Sequence, residues 1–290
     1  MGATGAMAPL LGLLALICPW LNPFASGPSP AVSSWLGAMA CLAVWLIVAT
    51  WAPTRLPSTA AGSWLLAAVL SAVIGLLQYF GATFVFGQWV NSTAVGEAFG
   101  NLRQRNQFAT LMNMGLLALL ALLTWVAPPL AAVPGTQAVK QSALSSPWLV
   151  MACAVLLGAG NAASSSRTGF LQLMLVAVLM GVWGCFRQPL IRRAMLAAVL
   201  AYAIATVALP LLAGLSLGGS GILGRLNEPS SGCASRMVLW RNVLELIALK
   251  PWLGWGWGEL DFAHFVTLYP GPPGARFCEI LDNAHNLPMH

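Results

Sequence analysis

The chain has 290 residues, 59% of them hydrophobic and only 7% charged, with a mean hydropathy of +0.80. A water-soluble domain of this composition would expose large apolar patches and aggregate, so a soluble globular protein is excluded. The net charge of +6 does not point to nucleic acid, because the arginines are scattered between apolar stretches rather than gathered on one face.

Seven apolar stretches follow one another: Ala6–Leu21, Ala31–Trp51, Gly62–Phe80, Phe108–Ala127, Pro147–Gly160, Thr168–Phe186 and Ala194–Leu217. A helix crossing a bilayer needs about 20 mostly apolar residues, since no water is there to satisfy unpaired backbone groups. Most of the seven reach or approach that length. They predict an all-α, polytopic integral membrane protein with a seven-span domain over residues 1–217 and a large outer loop over 218–290. Met1–Leu21 lacks a basic leading segment and a small-residue cleavage site, so it reads as a retained first span rather than a signal peptide.

Orientation follows from the cations. With the N-terminus inside, the cytoplasmic connections carry Arg55, Lys140 and the Arg187, Arg192, Arg193 cluster, which lies in a short loop tight against two spans. The short outer connections carry Arg103, Arg105 and Arg167. This is a modest positive-inside bias and predicts a cytoplasmic N-terminus. The loop Gly81–Asn106, the turn Asn161–Arg167 and the tail Gly218–His290 then all face outward.

Outward arginines want an explanation, since each costs about 2.5–3.5 kcal/mol near the bilayer centre, and less at the interface. Arg103 and Arg105 lie in Gly100-Asn101-Leu102-Arg103-Gln104-Arg105-Asn106-Gln107-Phe108, dense in hydrogen-bonding groups and directly before the fourth apolar stretch. Helix N-termini and guanidinium forks suit phosphate oxygens; snorkelling to lipid headgroups is the plainer alternative. Arg167 follows Ser164-Ser165-Ser166, whose hydroxyls, with that of Thr168, are able to cap the sixth span. A simple cap with a headgroup-binding arginine explains that turn equally well.

In the tail, Ser235–Leu249 reads as an amphipathic helix with Met237, Trp240, Leu244 and Ile247 on one stripe and Arg236, Arg241 and Glu245 away from it. Pro251 lies just beyond its end, and the tryptophans of Pro251–Gly258 suit the headgroup layer. His264 sits among aromatics and reads as packing. The chain closes on Asp282-Asn283-Ala284-His285-Asn286-Leu287-Pro288-Met289-His290, where a neutral imidazole is able to take a proton from a hydroxyl near pH 7. The His285–His290 spacing, broken by Pro288, suits a metal poorly, and no other cluster of His, Cys and acid suggests one. No cofactor is expected. Cys233 and Cys278 share the outer tail, where an oxidising setting would allow a disulfide that staples the loop carrying His285. Cys18, Cys41, Cys153 and Cys185 lie in or beside spans and read as small apolar groups.

The segment Gly100–Ala109 resembles the signature of bacterial protein O-oligosaccharyltransferases, the pilin-glycosylation ligases. Ser166-Arg167-Thr168-Gly169 is similar to the arginine turn of the wider O-antigen ligase and polymerase superfamily, which has a GT-C-like fold. Arg236 with Trp240, then Pro251–Gly258, then His285-Asn286 follow that superfamily's periplasmic loop in order. The resemblance covers nearly the whole chain.

It implies a glycosyltransferase of the bacterial inner membrane, with its site facing the periplasm. Such an enzyme moves a glycan from an undecaprenyl-pyrophosphate carrier to a Ser or Thr hydroxyl of a pilin-like acceptor protein. By the same resemblance Arg167 and Arg103 hold the pyrophosphate, with Arg105, Gln107, Arg236 and Asn286 lining the donor site, and His285 deprotonates the acceptor. Lipopolysaccharide as acceptor, for an O-antigen ligase or polymerase, is the alternative on the same scaffold; a transporter of lipid-linked sugar is the alternative from another class. Members of the family continue past the histidine segment. The resemblance therefore implies further spans beyond His290, and little transfer by residues 1–290 alone.

Overall fold

The computed structural model describes residues 4–22, 32–51, 56–102, 104–126, 146–214, 233, 235–256, 259–272 and 274–279. Within these, every regular element is helical. Seven long helices run in chain order: α1 (Thr4–Leu21), α2 (Val32–Trp51), α3 (Leu56–Tyr79), α4 (Arg105–Val126), α5 (Pro147–Ala163), α6 (Arg167–Val182) and α7 (Pro189–Leu212). Two more, α8 (Arg236–Leu249) and α9 (Leu260–Val266), belong to a second compact unit. An all-helical membrane protein is what the apolar stretches predict. By length and composition α3, α4 and α7 are long and apolar enough to cross a bilayer. The helices α5 and α6, at 17 and 16 residues, are cut short by the polar turn between them.

Three helix starts fall earlier than the apolar stretches suggest, because caps and first turns tolerate polar residues. α3 begins at Leu56 with Pro57 in its first turn, and α7 begins at Pro189 with Gln188 as cap. Arg192 and Arg193 therefore sit in the first turn of α7 rather than in the loop, and Arg187 ends a 3-10 turn over Cys185–Arg187. Likewise Arg105, Asn106 and Gln107 form the first turn of α4 instead of preceding it. Arg55 and Lys140, which also enter the orientation argument, lie outside the described residues.

The centre of the bundle is α4, the most buried of the three long spans, packed against α3, α5 and α6. Phe108, Leu111, Met112, Leu116, Leu119 and Leu120 fill its contacts. Without a hydrophobic drive between helices in lipid, close packing of small residues has to hold spans together. The α5–α7 pair shows this: Ala154 and Gly158 meet Ala194 and Ala198, all fully buried. A Cβ on Gly158 would lie 2.2 Å from the Ala198 carbonyl oxygen, so only glycine allows that approach.

Outward faces carry the lipid signature. On α6, Leu171, Leu175, Val178 and Val182 are exposed at helical spacing, and on α7 so are Leu196, Leu200, Ile204, Val207 and Leu211. In water such stripes would aggregate; against acyl chains they cost nothing.

Candidate functional site

The starts of α4 and α6 lie side by side, and polar side chains hold them there. Ser166 caps α6 by accepting the Gly169 N–H at 3.1 Å, and its hydroxyl donates to Asn106 Oδ1 on α4 at 2.8 Å. Ser164 in turn donates to the Asn161 carbonyl at the end of α5 and accepts the Ser166 N–H. Ser165 takes a left-handed φ of 51°, which lets three residues turn α5 into α6.

A ladder of amides continues from that turn into the bundle. Asn113 donates to the carbonyls of Ala109 and Gly169 and to Gln172 Oε1, at 3.1 to 3.2 Å. Asn161 donates to Asn113 Oδ1 and to the Gly169 carbonyl, while Gln172 Nε2 reaches the Thr110 hydroxyl at 3.0 Å. Asn106, Thr110 and Asn113 stand on one face of α4 at i, i+4 and i+7, opposite Ser166, Gly169 and Gln172 on α6.

The preceding loop is clamped by two more amides. Gln78, near the end of α3, donates to the carbonyls of Asn91 and Gly100 and accepts the N–H groups of Phe99 and Gly100. Asn101 donates to the carbonyls of Leu21 and Trp89 and accepts the Asn91 N–H. The same end of the bundle thus gathers the ends of α1, α3 and α5 and the starts of α4 and α6.

Among the sequence-predicted residues, Arg105 and Arg167 lie on the two helix starts that Asn106 and Ser166 join. Each lies in the first turn of its helix, one beside Asn106 and the other beside Ser166. Both helix N-termini carry positive potential, and the two guanidinium groups add to it. Arg167 is exposed; Arg105 is partly buried and ion-paired to Glu97 of the loop. Gln107 is exposed on the first turn of α4. Arg103, His285 and Asn286 lie outside the described residues.

In the second unit, Arg236 is exposed on the first turn of α8, which Ser235 caps by accepting the Val238 N–H. Of the apolar stripe, Met237, Leu244 and Ile247 are exposed, and the buried face is Leu239, Asn242, Val243 and Leu246. The reason is Asn242, a polar residue on the inner face: its amide donates to the Ala275 carbonyl and accepts the Phe277 N–H, so Phe277 packs on Leu239 and Val243.

The expected Cys233–Cys278 disulfide is present, with Cα atoms 5.3 Å apart. His264 is buried as expected, with Nε2 at 3.0 Å from the Phe277 carbonyl and Nδ1 at 3.2 Å from the Tyr269 hydroxyl. Burial lowers its pKa, and Arg276 pushes the same way against the Phe277 hydrogen bond. Burial pushes Tyr269 up to about 12, so it stays a hydroxyl donor. Trp255 donates its indole N–H to the Leu246 carbonyl, with the Lys250 ammonium 3.9 Å above its ring, whereas Trp252 projects fully exposed. Trp257 lies outside the described residues.

A family model described as O-antigen ligase matches residues 152–290, and one described as protein glycosylation ligase matches residues 98–123. The first match covers just under half of the chain, and the two together support a member of the O-antigen ligase family. The second match shows that residues 98–123 are similar to the corresponding segment of protein glycosylation ligases. No curated protein and no solved structure matches the chain.

In this ligase-family chain the second match includes the start of α4 and the first match includes α6, the two helices that the amide ladder joins. Sequence reasoning fixed on the arginines and passed over the residues that place them: Gln78, Thr110, Asn113, Asn161 and Gln172. Their signal was present, since amides inside apolar stretches are costly unless paired. The arrangement sets two helix starts side by side, each with an arginine in its first turn and a ladder of amides beyond.

Proposed function

We propose that this ligase moves a glycan en bloc from undecaprenyl pyrophosphate to a Ser or Thr hydroxyl of a periplasmic acceptor protein such as a pilin. The reading rests on one observation above all, the pairing of the Arg105 and Arg167 helix starts through Asn106 and Ser166. A pyrophosphate leaving group carries charge that grows as the bond to the sugar breaks. Preorganised guanidinium groups and helix N-termini stabilise that charge without reorganising.

The acceptor oxygen attacks the anomeric carbon, the bond from that carbon to the phosphate oxygen breaks, and undecaprenyl pyrophosphate leaves with the electron pair. The hydroxyl proton passes to a base, the role we assign to His285. Arg167 and Arg103 are assigned to the pyrophosphate, Arg105 beside them and held by Glu97, while Gln107, Arg236 and Asn286 are assigned to the donor's polar head. The match of residues 98–123 to protein glycosylation ligases favours a protein acceptor over lipopolysaccharide. The proposal includes a seven-span domain in the inner membrane, its N-terminus cytoplasmic and its site periplasmic.

The test is acceptor mass in cells whose own copy of the gene carries Arg167→Ala or His285→Ala. Both variants are expected to leave the acceptor unglycosylated while lipid-linked glycan accumulates at the periplasmic face. Normal acceptor mass in either variant overturns the assignment of that residue. Normal acceptor mass with altered lipopolysaccharide, when the gene is deleted, overturns the protein acceptor. Glycan trapped on the cytoplasmic face after deletion would instead indicate a transporter.

A further inference from the structure

Between the end of α3 and the signature segment the chain forms a short apolar finger, Ala82–Trp89, of two 3-10 turns broken at Gly87, where φ is +52°. Phe84 is 82% exposed and Val85 66%, and Phe86 and Trp89 are exposed as well. This density of exposed aromatic and branched side chains is unusual for a loop, which normally turns polar residues to water. No charged residue occurs between Arg55 and Glu97.

The finger is not a loose loop. Gln78 and Asn101 hold its base through the carbonyls of Asn91 and Trp89, and the Gly96 N–H donates to the Tyr79 carbonyl. Its own 3-10 bonds satisfy further backbone groups, which is the condition for irregular backbone to sit at membrane depth.

What covers it follows from continuity. Leu66, Leu70, Val73 and Phe80 form an exposed apolar face along α3, a helix long enough to span, and Phe84, Val85 and Phe86 follow directly from that helix. Tryptophan at the far end suits the headgroup boundary.

We propose that Ala82–Trp89 dips into the leaflet on the side of the paired helix starts, and that its partner is the acyl region of that leaflet. Asn101 ties Trp89 to the segment leading into α4, so the finger is anchored to the bundle at its base. This inference concerns lipid contact alone and stands or falls independently of glycan transfer.

The experiment places the full chain in phosphatidylcholine nanodiscs carrying a diazirine on the acyl chain, and maps photo-adducts by mass spectrometry. Hydroxyl-radical footprinting of the same sample reads exposure to water. The expected result is acyl adducts on residues 82–89 at a yield comparable to the α3 face, with Phe84 and Phe86 protected from radicals. Adducts on α3 with none on 82–89, together with oxidised Phe84 and Phe86, overturn the proposal. Protection from both reagents also overturns it, since protein then covers the finger. The variant Phe84→Ser/Phe86→Ser is expected to lose the adducts on 82–89 while those on α3 persist, which shows that the bundle remains folded; adducts undiminished on 82–89 count against side-chain insertion.

Discussion

Ser166 bonds two helices at once, accepting the Gly169 N–H on its own helix and donating to Asn106 on α4. Its replacement removes a cap and leaves the Asn106 oxygen without its donor. Ser166→Ala is expected to cost about 0.5–2 kcal/mol, the range for lost Ser caps, measured as a lowered unfolding midpoint in nanodiscs. Ser166→Thr keeps the hydroxyl and should recover most of it. If the cap also aims Arg167, glycan transfer by Ser166→Ala should fall beyond what the lost folded fraction explains.

Gly169 on α6 packs closely against both α5 and α4. A Cβ there would lie 2.4 Å from Asn161 Oδ1 and 2.5 Å from the Ala109 Cβ, neither on a side chain free to swing away. Gly169→Ala should therefore separate α6 from these helices and strain the amide ladder. Overpacking of this kind typically costs about 1–3 kcal/mol. A midpoint unchanged from wild type would show that the helices yield easily at this contact.

Glu97 and Arg105 form a half-exposed ion pair, with 24% of the Arg105 side chain and 32% of the Glu97 side chain accessible. Such pairs contribute about 0–1 kcal/mol, so Glu97→Gln should barely change stability. Its effect should fall on ligand binding. Freed from its carboxylate, Arg105 should hold pyrophosphate more tightly, read as a lower dissociation constant in titrations with the inorganic anion. Weaker binding would mean that Glu97 orients the guanidinium rather than competing for it.

The membrane-protein class and the apolar helices were legible in the sequence, because they rest on apolar run length; a hydroxyl cap on the sixth apolar stretch and a Cys233–Cys278 bond were open options that the structure decides. Helix starts were misplaced by several residues where polar first turns, as at Arg105–Gln107 and Leu56–Ala61, continue a helix beyond its apolar run. Which face of α8 is buried was not legible, for a deeper reason. Asn242 is inward because its amide completes the backbone of Ala275 and Phe277, more than thirty residues away. No periodicity within fourteen residues of helix carries that information. The amide ladder failed similarly: each Asn or Gln was visible, and their convergence belongs to packing.

Cys233 and Cys278 are 45 residues apart in sequence, so their bond restricts a long stretch of the unfolded chain. A native disulfide in a small extracellular unit contributes about 2–5 kcal/mol. Reduction should speed backbone amide exchange over residues 235–279 and leave α3 to α7 unchanged. Equal exchange before and after reduction would show that Asn242 and the Leu239–Val243–Phe277 cluster hold this unit without the bond.

The same unit should weaken in acid through His264. Its folded pKa lies below the ordinary 6.5, chiefly because burial penalises the charged ring, so the unfolded chain takes up the proton first as pH falls. Stability is therefore full above about pH 6.5 and is lost progressively as pH drops through the folded value. Protonation also reverses the Tyr269 contact: with Nε2 donating to the Phe277 carbonyl, neutral Nδ1 accepts from the hydroxyl, whereas the charged ring donates to it. Amide exchange over residues 260–277, corrected for its intrinsic pH dependence, should be faster at pH 5 than at pH 7.5. His264→Gln carries an amide that does not titrate, and should remove that difference even if it lowers stability at both values. A pH dependence that survives His264→Gln would show that His264 is not the source of the acid response.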